Sequence, residues 1–453
     1  MPISPARQAA LNILLRIEQQ DAYASELLHS SQYATLSPAD HGLATELVMG
    51  VLRWRSLLDR QIAQHSSQRL EKLDAEVLTA LRLAAYQLFF LDRIPERVAV
   101  HESVELVKGS RKRSAVPFAN AVLRQLSRAA LEKRDVPSAS RPENLTELSQ
   151  AWAHPLWLVE RWAQQFGRPA TEQICAYDQN IPEAAIRAVS PAIEKELAQE
   201  NIALTPGRLL RSARRVKSGN ITQTRAFRNG LVSIQDEASQ LTALLVGHAP
   251  AILDCCAAPG GKTRILADEN PDAAIVAVEL YPHRARLLRK LVPGKNVQVM
   301  TADILEWPVS QLFERVLADV PCSGTGTLAR NPEIKWRLQP DDLLHLQSRQ
   351  LAILRSAMAH LAPGGKLVYS TCSLEPEENS AVIEKALAED PALRVIDCQE
   401  ELERLHKHGV LATEALAPLT LGPYLRTIPG VHPSDGFFAA VLEKRSTSEK
   451  RSR

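Results

Sequence analysis

Two cysteines occupy sequence positions from which a thiol could attack a nucleic-acid base. Cys322 stands three residues after Asp319 in the segment 319–326, and Cys372 stands in the segment 369–373. A thiolate that adds to C6 of a pyrimidine makes C5 nucleophilic enough to attack a sulfonium methyl group. Asp319 could hydrogen-bond the base and stabilise that adduct. Polar and turn-forming neighbours at the ends of predicted strands favour this covalent role for Cys322 and Cys372.

The other cysteines and the overall composition indicate an ordinary folded protein. A buried cysteine is most often a small apolar residue without chemistry, and we apply that interpretation to Cys175, Cys255 and Cys398. The six cysteines include no Cys-x-x-Cys pair, so neither zinc nor a disulfide framework is expected. The chain is 45% hydrophobic and 23% charged, which excludes disorder. Residues 1–7 lack the charged-then-apolar order of a signal peptide, and no apolar run approaches the roughly 18–20 residues that a membrane span needs, so a reduced, cytoplasmic protein is expected.

A loop with two adjacent glycines follows the predicted strand at residues 252–256. Its sequence at 256–262, Cys-Ala-Ala-Pro-Gly-Gly-Lys, lacks the glycine spacings of phosphate-binding loops. Further predicted strands lead to Glu279, Asp303 and Asp319. Glu279 could accept hydrogen bonds from ribose hydroxyls and Asp303 could face an adenine edge, although a carboxylate at a strand end often only caps the next helix. Together they favour adenosine, and a phosphate-free adenosine with an amino-acid arm is S-adenosylmethionine.

The elements that must position these residues alternate between strand and helix from about residue 231 onward. That alternation is typical of a parallel, doubly wound α/β sheet. Ligands in such sheets bind beyond the carboxyl ends of the strands, where the strand order reverses. Strands are predicted at 252–256, 274–279, 297–300, 315–319 and 366–370, and a long helix at 341–361.

The first third of the chain has a helical pattern instead. Apolar residues recur every three or four positions across residues 4–131, and Ser37-Pro38 is typical of a helix start. These stripes predict a small helical domain. A linker rich in Pro and Ser is predicted at 137–142. Residues 143–230 begin helical and then turn mixed, with a strand predicted at 185–189.

Charge is unevenly distributed, although the net charge of the whole chain is only +2. Residues 1–140 carry 18 Lys and Arg against 15 Asp and Glu, residues 141–230 carry 12 against 9, and residues 231–453 carry 24 against 28. The segment 206–228 contains only basic charges, namely Arg208, Arg211, Arg214, Arg215, Lys217, Arg225 and Arg228. Such a segment could neutralise RNA phosphates, or it could be a solvated loop. The basic tail at 446–453 is interpreted as a frayed terminus.

The two cysteine segments resemble those of the RNA cytosine-C5 methyltransferases. Further similarity lies in residues 235–239, 254–263 and 432–438. The resemblance implies that Cys372 is the nucleophile and that Cys322 assists release of the methylated product. It also implies the contacts to S-adenosylmethionine, which are Cys256, Ala257, Ala258, Pro259, Gly260, Gly261, Lys262, Glu279, Asp303 and Asp319. The family usually has Asp where this chain has Glu279, whose longer side chain should still reach a ribose.

The helical part looks like a NusB-like RNA-binding domain. That similarity lies in residues 48–53, 81–88 and 118–124. Together the resemblances identify the chain as a member of the bacterial 16S ribosomal RNA methyltransferases, expected to act on 16S ribosomal RNA as a monomer, without metal and away from membranes. The implied domains are a NusB-like helical domain (1–136), a small mixed α/β RNA-binding subdomain (143–230) and a Rossmann-like α/β methyltransferase domain (231–445).

Several alternatives stay open at this point. The same chemistry could act on transfer RNA, and the helical domain could pack or dock without touching RNA. Taken alone, the helical domain would also fit a non-enzymatic, antitermination-type RNA-binding factor. Arg330 and Lys335 could contact the target nucleotide, whereas their neighbour Trp336 could be either a contact or a simple packing residue.

Overall fold

The computed structural model describes residues 3–20, 22–132, 142–188, 190–412 and 419–446. The predicted linker, apart from Pro142, lies outside the described residues, as do Val189 and the predicted tail from residue 447 onward. No helix within the described ranges is long and apolar enough to cross a membrane.

The helices are, in chain order, α1 (Pro5–Gln20), α2 (Ala24–Leu28), α3 (Pro38–His65), α4 (Ala75–Phe90), α5 (Glu96–Gly109), α6 (Val116–Glu132), α7 (Leu145–Ala151), α8 (Leu156–Asp178), α9 (Pro191–Gln199), α10 (Arg225–Arg228), α11 (Glu237–Leu244), α12 (Gly261–Glu269), α13 (Pro282–Leu291), α14 (Ile334–Arg337), α15 (Asp342–Ala359), α16 (Ser380–Glu389) and α17 (Cys398–Lys407). The strands are β1 (Ala185–Ala188), β2 (Ala203–Pro206), β3 (Ala213–Ser218), β4 (Val232–Ile234), β5 (Ala251–Asp254), β6 (Ala274–Glu279), β7 (Val297–Thr301), β8 (Phe313–Asp319), β9 (Leu361–Thr371), β10 (Leu393–Ile396), β11 (Thr420–Leu421), β12 (Tyr424–Thr427) and β13 (Phe437–Lys444).

The described part of the chain divides into two compact units. The N-terminal unit comprises Met1–Ile181 and Leu328–Leu338, and the C-terminal unit comprises Pro182–Thr327 and Gln339–Arg453. Helices α7 and α8 therefore belong with the helical bundle, whereas strands β1 to β4 belong with the larger sheet.

The N-terminal unit is helical, as the spacing of its apolar residues predicts. Helix α4 packs against α1, α3, α5 and α6 and is buried on nearly every turn. Helix α3 begins at the predicted position, since the Ser37 side chain accepts a hydrogen bond from the backbone N–H of Asp40 at 3.1 Å and Pro38 stands in the first turn. The predicted fold class of this part of the chain is confirmed.

The segment Leu328–Leu338 packs within the N-terminal unit although it follows the predicted catalytic loop in sequence. Lys335, which is 1% exposed, donates hydrogen bonds to the backbone oxygens of Arg53 at 2.9 Å and Ala153 at 3.0 Å. The prediction that Lys335 contacts the target nucleotide is therefore wrong, because backbone oxygens enclose its ammonium group.

Trp336 belongs to the same packed segment. Its indole Nε1–H donates to the carbonyl oxygen of Leu52 at 2.6 Å, and its ring lies against the apolar core of the helical bundle. Of the two roles open to this residue, the structure supports packing. Arg330 is half-buried, and its predicted contact with the nucleotide stays a prediction.

Burial of Lys335 predicts a pH dependence of folding. Desolvation lowers the pKa of Lys335 to about 7; the charges of Asp178 and Cys175 oppose this shift, whereas that of Arg53 adds to it. The amine has a pKa of about 10.4 in an unfolded chain, so between these values the unfolded state binds more protons and this group makes stability rise with pH.

We expect wild type to gain stability relative to Lys335→Met as the pH rises from 7 to 9. The limiting gain is about 1.4 kcal/mol per pH unit, and denaturant unfolding curves of both proteins measure it. Lys72→Met removes an exposed lysine of the same unit and controls for the loss of one positive charge. A stability difference between wild type and Lys335→Met that does not change from pH 7 to 9 would contradict the prediction.

The C-terminal unit contains two sheets. The smaller one is antiparallel and has the order β2-β3-β1-β4, while the larger has nine strands with the main order β11-β12-β13-β9-β8-β5-β6-β7. Strands β5 to β9 are parallel, as predicted, and the order reverses between β5 and β8. Strand β13 joins antiparallel to β9, and β10 and β12 join β13, none of which was predicted. The α/β fold class of this unit is confirmed, with a mixed rather than a fully parallel sheet.

The basic segment at 206–228 is not the solvated loop that was one of its two interpretations. Its centre is strand β3, in which Arg215 is 8% exposed and forms an ion pair with the fully buried Glu237 at 2.6 Å. Arg214 forms an ion pair with Glu194 at 2.9 Å. Part of the charge is therefore neutralised within the protein, and Arg215 holds the small sheet to α11 instead of facing a phosphate.

Candidate active site

The carboxyl ends of β5, β6, β8 and β9 form one edge of the large sheet, and most of the predicted site residues lie there. The loop 256–262 follows β5, Glu279 ends β6, Asp319 ends β8, and Cys372 directly follows β9. Asp319 stands opposite Ser370 in the register of β8 and β9. Parallel pairing thus brings together residues that are distant in sequence.

The two predicted catalytic thiols are in contact. The Sγ atoms of Cys322 and Cys372 lie 3.4 Å apart, and the backbone N–H of Gly326 donates to the carbonyl oxygen of Cys372 at 2.9 Å. The hydrogen bond to Cys372, followed by burial, raises the pKa of Cys322 well above its usual range. Cys322 therefore keeps its proton at neutral pH and can act as a hydrogen-bond donor to the other sulfur.

A buried carboxyl group organises the residues that follow both thiols. Glu378 accepts hydrogen bonds from the backbone N–H of Ser323 and from Nε2 of Gln350, both at 2.8 Å, and from the hydroxyls of Ser323 and Ser373. Burial raises the pKa of Glu378. Sequence analysis missed this residue, and the only local signal is the run Pro-Glu-Glu-Asn that starts four residues after Cys372.

Both carboxylate oxygens of Asp319 contact neighbouring side chains. Oδ2 lies 2.8 Å from Nζ of Lys262, and Oδ1 accepts a hydrogen bond from the Ser370 hydroxyl at 2.7 Å. The ammonium of Lys262 also lies 5.2 Å from the ring centroid of Phe437, which is within cation–π range. These contacts fix the direction of the carboxylate at the end of β8 and tie the glycine loop to it.

The glycine loop adopts a conformation that its residues specify. Gly260 has φ of 117° and precedes α12, and a Cβ atom there would lie 2.7 Å from Leu288. Glu279, which is 5% exposed, accepts hydrogen bonds from the backbone N–H groups of Ala258 at 3.3 Å and Tyr281 at 2.9 Å. Its carboxylate is therefore fixed beside the loop by one loop amide and by the start of α13.

Asp303 follows β7 as predicted, but its described contact is local. Its Oδ1 accepts a hydrogen bond from the backbone N–H of Leu305 at 3.0 Å, which forms an Asx turn. The predicted contact of Asp303 with adenine stays a prediction. Cys256 is half-buried, and burial followed by the charge of Asp254 raises its pKa, so its thiol is a poor nucleophile.

Sequence analysis overlooked the buried Asp254 at the end of β5. Its Oδ2 accepts a hydrogen bond from the Thr263 hydroxyl at 2.7 Å, and burial raises its pKa to about 7. Within the described part of the chain its Oδ1 is buried without a hydrogen-bond partner. The remaining thiols, Cys175, Cys255 and Cys398, are buried, as their structural interpretation predicts.

These donors and acceptors fit a nucleoside that carries no phosphate. The loop 256–262 contains one cation, Lys262, and Asp319 already neutralises it. Acceptors dominate instead, with the carboxylates of Glu279 and Asp319 at the edge and the unpartnered oxygen of Asp254 below it. S-adenosylmethionine offers hydroxyl and ammonium donors to such a site, and the loop, Glu279 and Asp319 are the residues that would hold it.

The matches to known proteins agree with this fold. Residues 242–443 match the family described as 16S rRNA methyltransferase RsmB/F, and residues 4–128 match the NusB family. A probable ribosomal RNA small subunit methyltransferase B from Bacillus subtilis is 32% identical over 98% of this chain and 100% of its own length. The ribosomal RNA small subunit methyltransferase B of Vibrio cholerae is 31% identical over 98% of both chains. The crystal structure of PH0851 has a TM-score of 0.78 over 98% of this chain and 100% of that chain at 23% identity, which supports the fold.

The sheet and its cofactor edge define an S-adenosylmethionine-dependent methyltransferase. More specifically, the chain belongs to the RsmB/F family of 16S rRNA cytosine-C5 methyltransferases and carries the NusB domain at its N-terminal end. The alternative of a non-enzymatic RNA-binding factor is thereby excluded.

The position of Glu279 predicts how it affects cofactor affinity. We expect Glu279→Gln to weaken binding of S-adenosylmethionine roughly 10- to 100-fold in calorimetry, because hydrogen bonds to a charged group contribute about 1.5–3 kcal/mol. Glu279→Asp keeps the carboxylate and should bind within about threefold of wild type. An unchanged affinity in Glu279→Gln would mean that this carboxylate only fixes the loop and the start of α13.

Proposed function

We propose that this protein methylates C5 of one cytosine in 16S ribosomal RNA through a covalent bond between Cys372 and C6 of that base. The observation that carries the proposal is the pair of thiols in contact at the cofactor edge of the sheet. The ribosomal substrate is inferred from relatives named ribosomal RNA small subunit methyltransferase B and from the NusB domain. A cytoplasmic location follows from this substrate.

The chemistry that we propose begins with addition of the Cys372 sulfur to C6. The new S–C6 bond moves electron density to C5, which becomes the nucleophile. S-adenosylmethionine, when bound, supplies the methyl group on a positively charged sulfur. The C5 proton then passes to water, and the electron pair of its C–H bond re-forms the C5–C6 double bond as the S–C6 bond breaks, which restores the aromatic ring and frees Cys372 as a thiolate.

The two thiols have different roles in this proposal. Cys322 holds its proton and can hydrogen-bond to the Cys372 sulfur at 3.4 Å. It is therefore suited to assist the step in which Cys372 leaves the base, and the nucleophilic role of Cys372 is inferred from the family resemblance of residues 369–373. Asp319, oriented by Lys262 and Ser370, would hydrogen-bond the cytosine and stabilise the adduct.

C6 of a stacked base is not accessible to a thiol, so the target cytosine must be single-stranded or turned out of its stack. We assign RNA capture to the N-terminal unit, whose helices α5 and α6 and adjoining turns carry exposed arginines. Among the described residues these form no ion pair, and they are Arg93, Arg97, Arg111, Arg113, Arg124 and Arg128. Unpaired cations of this kind neutralise phosphates by counterion release.

Bisulfite sequencing of ribosomal and transfer RNA, from cells with and without the gene, tests the proposal. We expect one cytosine of 16S ribosomal RNA to lose its protection when the gene is absent. A loss confined to a transfer RNA would overturn the substrate and keep the chemistry. An unchanged pattern in both RNA classes would overturn both.

A further inference from the structure

Helix α13 and the turn after it are basic within an otherwise acidic part of the chain. Residues 231–453 carry 24 Lys and Arg against 28 Asp and Glu. Between Glu279 and Asp303, however, there are five basic residues and no acidic one, namely Arg284, Arg286, Arg289, Lys290 and Lys295. Sequence analysis assigned RNA binding to the N-terminal blocks and left this stretch without a role.

The basic face of α13 is exposed and electrostatically unpaired. Within the described ranges none of its four cations forms an ion pair, and neither does Lys295 in the turn after it. Arg286, Lys290 and Lys295 are exposed, whereas Arg284 and Arg289 donate to backbone oxygens. Some exposed arginines elsewhere in this unit do have acidic partners, as Arg355 has Glu389 and Arg394 has Glu443.

Packing positions this face beside the cofactor edge. Helix α13 starts three residues after Glu279, and its buried residues Ala285 and Leu288 face the sheet. The guanidinium of Arg289 reaches the hydroxyl of Thr301 at 3.2 Å, and Thr301 pairs with Glu279 in the register of β6 and β7. The first turn of α13 therefore lies at the edge that carries Glu279, and the guanidinium of Arg289 reaches the carboxyl end of β7.

We infer that α13 binds the phosphate backbone of the RNA beside the target nucleotide. This inference rests on the proposed function, since an RNA that presents a base to the thiols must pass along this edge. Arg286 and Lys290 lie one helical turn apart and share one exposed face, and they would each neutralise a phosphate. A membrane surface also attracts basic helices, but α13 exposes only two leucines, Leu287 and Leu291, which is little apolar area for insertion.

The double variant Arg286→Ala/Lys290→Ala tests the inference by equilibrium binding of in vitro transcribed 16S ribosomal RNA at several salt concentrations. We expect binding that is roughly 5- to 10-fold weaker near 0.15 M salt. The slope of log affinity against log salt should be shallower by about 1.4, the value for two lost contacts to single-stranded RNA. Calorimetry with S-adenosylmethionine and thermal unfolding should match wild type, because both side chains are exposed.

Two control variants isolate the charge of this face. Arg286→Lys/Lys290→Arg keeps both charges and should keep the wild-type salt slope. Arg355→Ala/Arg394→Ala removes two exposed but paired arginines of the same unit, each 51% exposed, and should also keep it. A wild-type slope in Arg286→Ala/Lys290→Ala would overturn the inference. The inference would also be overturned if Arg286→Ala/Lys290→Ala lost binding to anionic phospholipid vesicles but kept full RNA affinity.

Failure of this inference is distinguishable from failure of the proposed function, because RNA binding is measured without methyl transfer. If wild type methylates 16S ribosomal RNA and the double variant binds it normally, only the role of α13 is wrong. If wild type does not methylate it but loses affinity with the double substitution, the role of α13 stands and the proposed reaction is wrong.

Discussion

Replacing Cys372 by alanine is expected to abolish methyl transfer and the covalent protein–RNA complex together. The sulfur of Cys372 forms the bond to C6 in the proposed reaction, and loss of a catalytic nucleophile lowers turnover by about 10⁴-fold or more. Replacing Cys322 by alanine is expected to leave addition intact and to slow release of the base. A covalent complex should then accumulate, since the thiol 3.4 Å from Cys372 is gone.

Denaturing gel electrophoresis of labelled RNA, together with single-turnover transfer of a labelled methyl group, measures both outcomes. The matched control is Cys398→Ala, which removes a buried thiol of the same unit that contacts the backbone carbonyl of Ala439 in β13. It should show neither effect. If Cys372→Ala and Cys322→Ala lose methyl transfer equally and neither forms a covalent complex, both proposed roles are wrong. If Cys372→Ala instead traps a covalent complex, the two cysteines have the opposite roles.

The parts of the site that follow local rules could be predicted from sequence. Short apolar strands that alternate with helices specify parallel pairing, and parallel pairing places Cys372, Asp319 and Glu279 at one edge. The start of α3 at Ser37 was equally predictable, because a capping side chain and a following proline act within a few residues.

Features that depend on distant partners could not be predicted in this way. Lys335 follows the catalytic loop, yet its hydrogen-bond acceptors are 282 and 182 residues away, and no local pattern indicates them. The basic segment around Arg215 suggests a phosphate ligand, and only the structure shows that Arg215 forms an ion pair with Glu237. Glu378 is one of two adjacent glutamates, and only the structure shows which of them the hydroxyls of Ser323 and Ser373 contact.

The same limitation applies to a pair of glycines behind the thiols, and it leads to the second large expected effect. The backbone N–H of Gly436 donates to the carbonyl oxygen of Gly326 at 2.7 Å, while Gly326 donates to Cys372. A Cβ atom on Gly326 would lie 2.2 Å from the carbonyl oxygen of Gly436 and 2.8 Å from its Cα. These are backbone atoms, so no side-chain rotation can relieve the overlap.

Gly326→Ala is therefore expected to move the loop that carries Cys322 away from Cys372. A displacement of about 1 Å at a reacting group can lower the rate about 10²-fold, and overpacking costs about 1–3 kcal/mol of stability. We expect single-turnover methyl transfer to fall by at least that factor. Calorimetry with S-adenosylmethionine shows whether the C-terminal unit still folds, because cofactor binding requires the folded sheet edge.

Gly42→Ala is the matched control, because a Cβ atom there meets nothing within 4 Å. It adds the same methyl group within helix α3 and should raise stability by about 0.5–1 kcal/mol without changing the rate. If Gly326→Ala binds cofactor and transfers methyl groups at the wild-type rate, the backbone at Gly326 can shift to accommodate the added methyl group without displacing the thiol of Cys322. The close approach of the two glycines would then be a packing feature, and the 3.4 Å contact between sulfurs would have to be fixed by the serines on Glu378 alone.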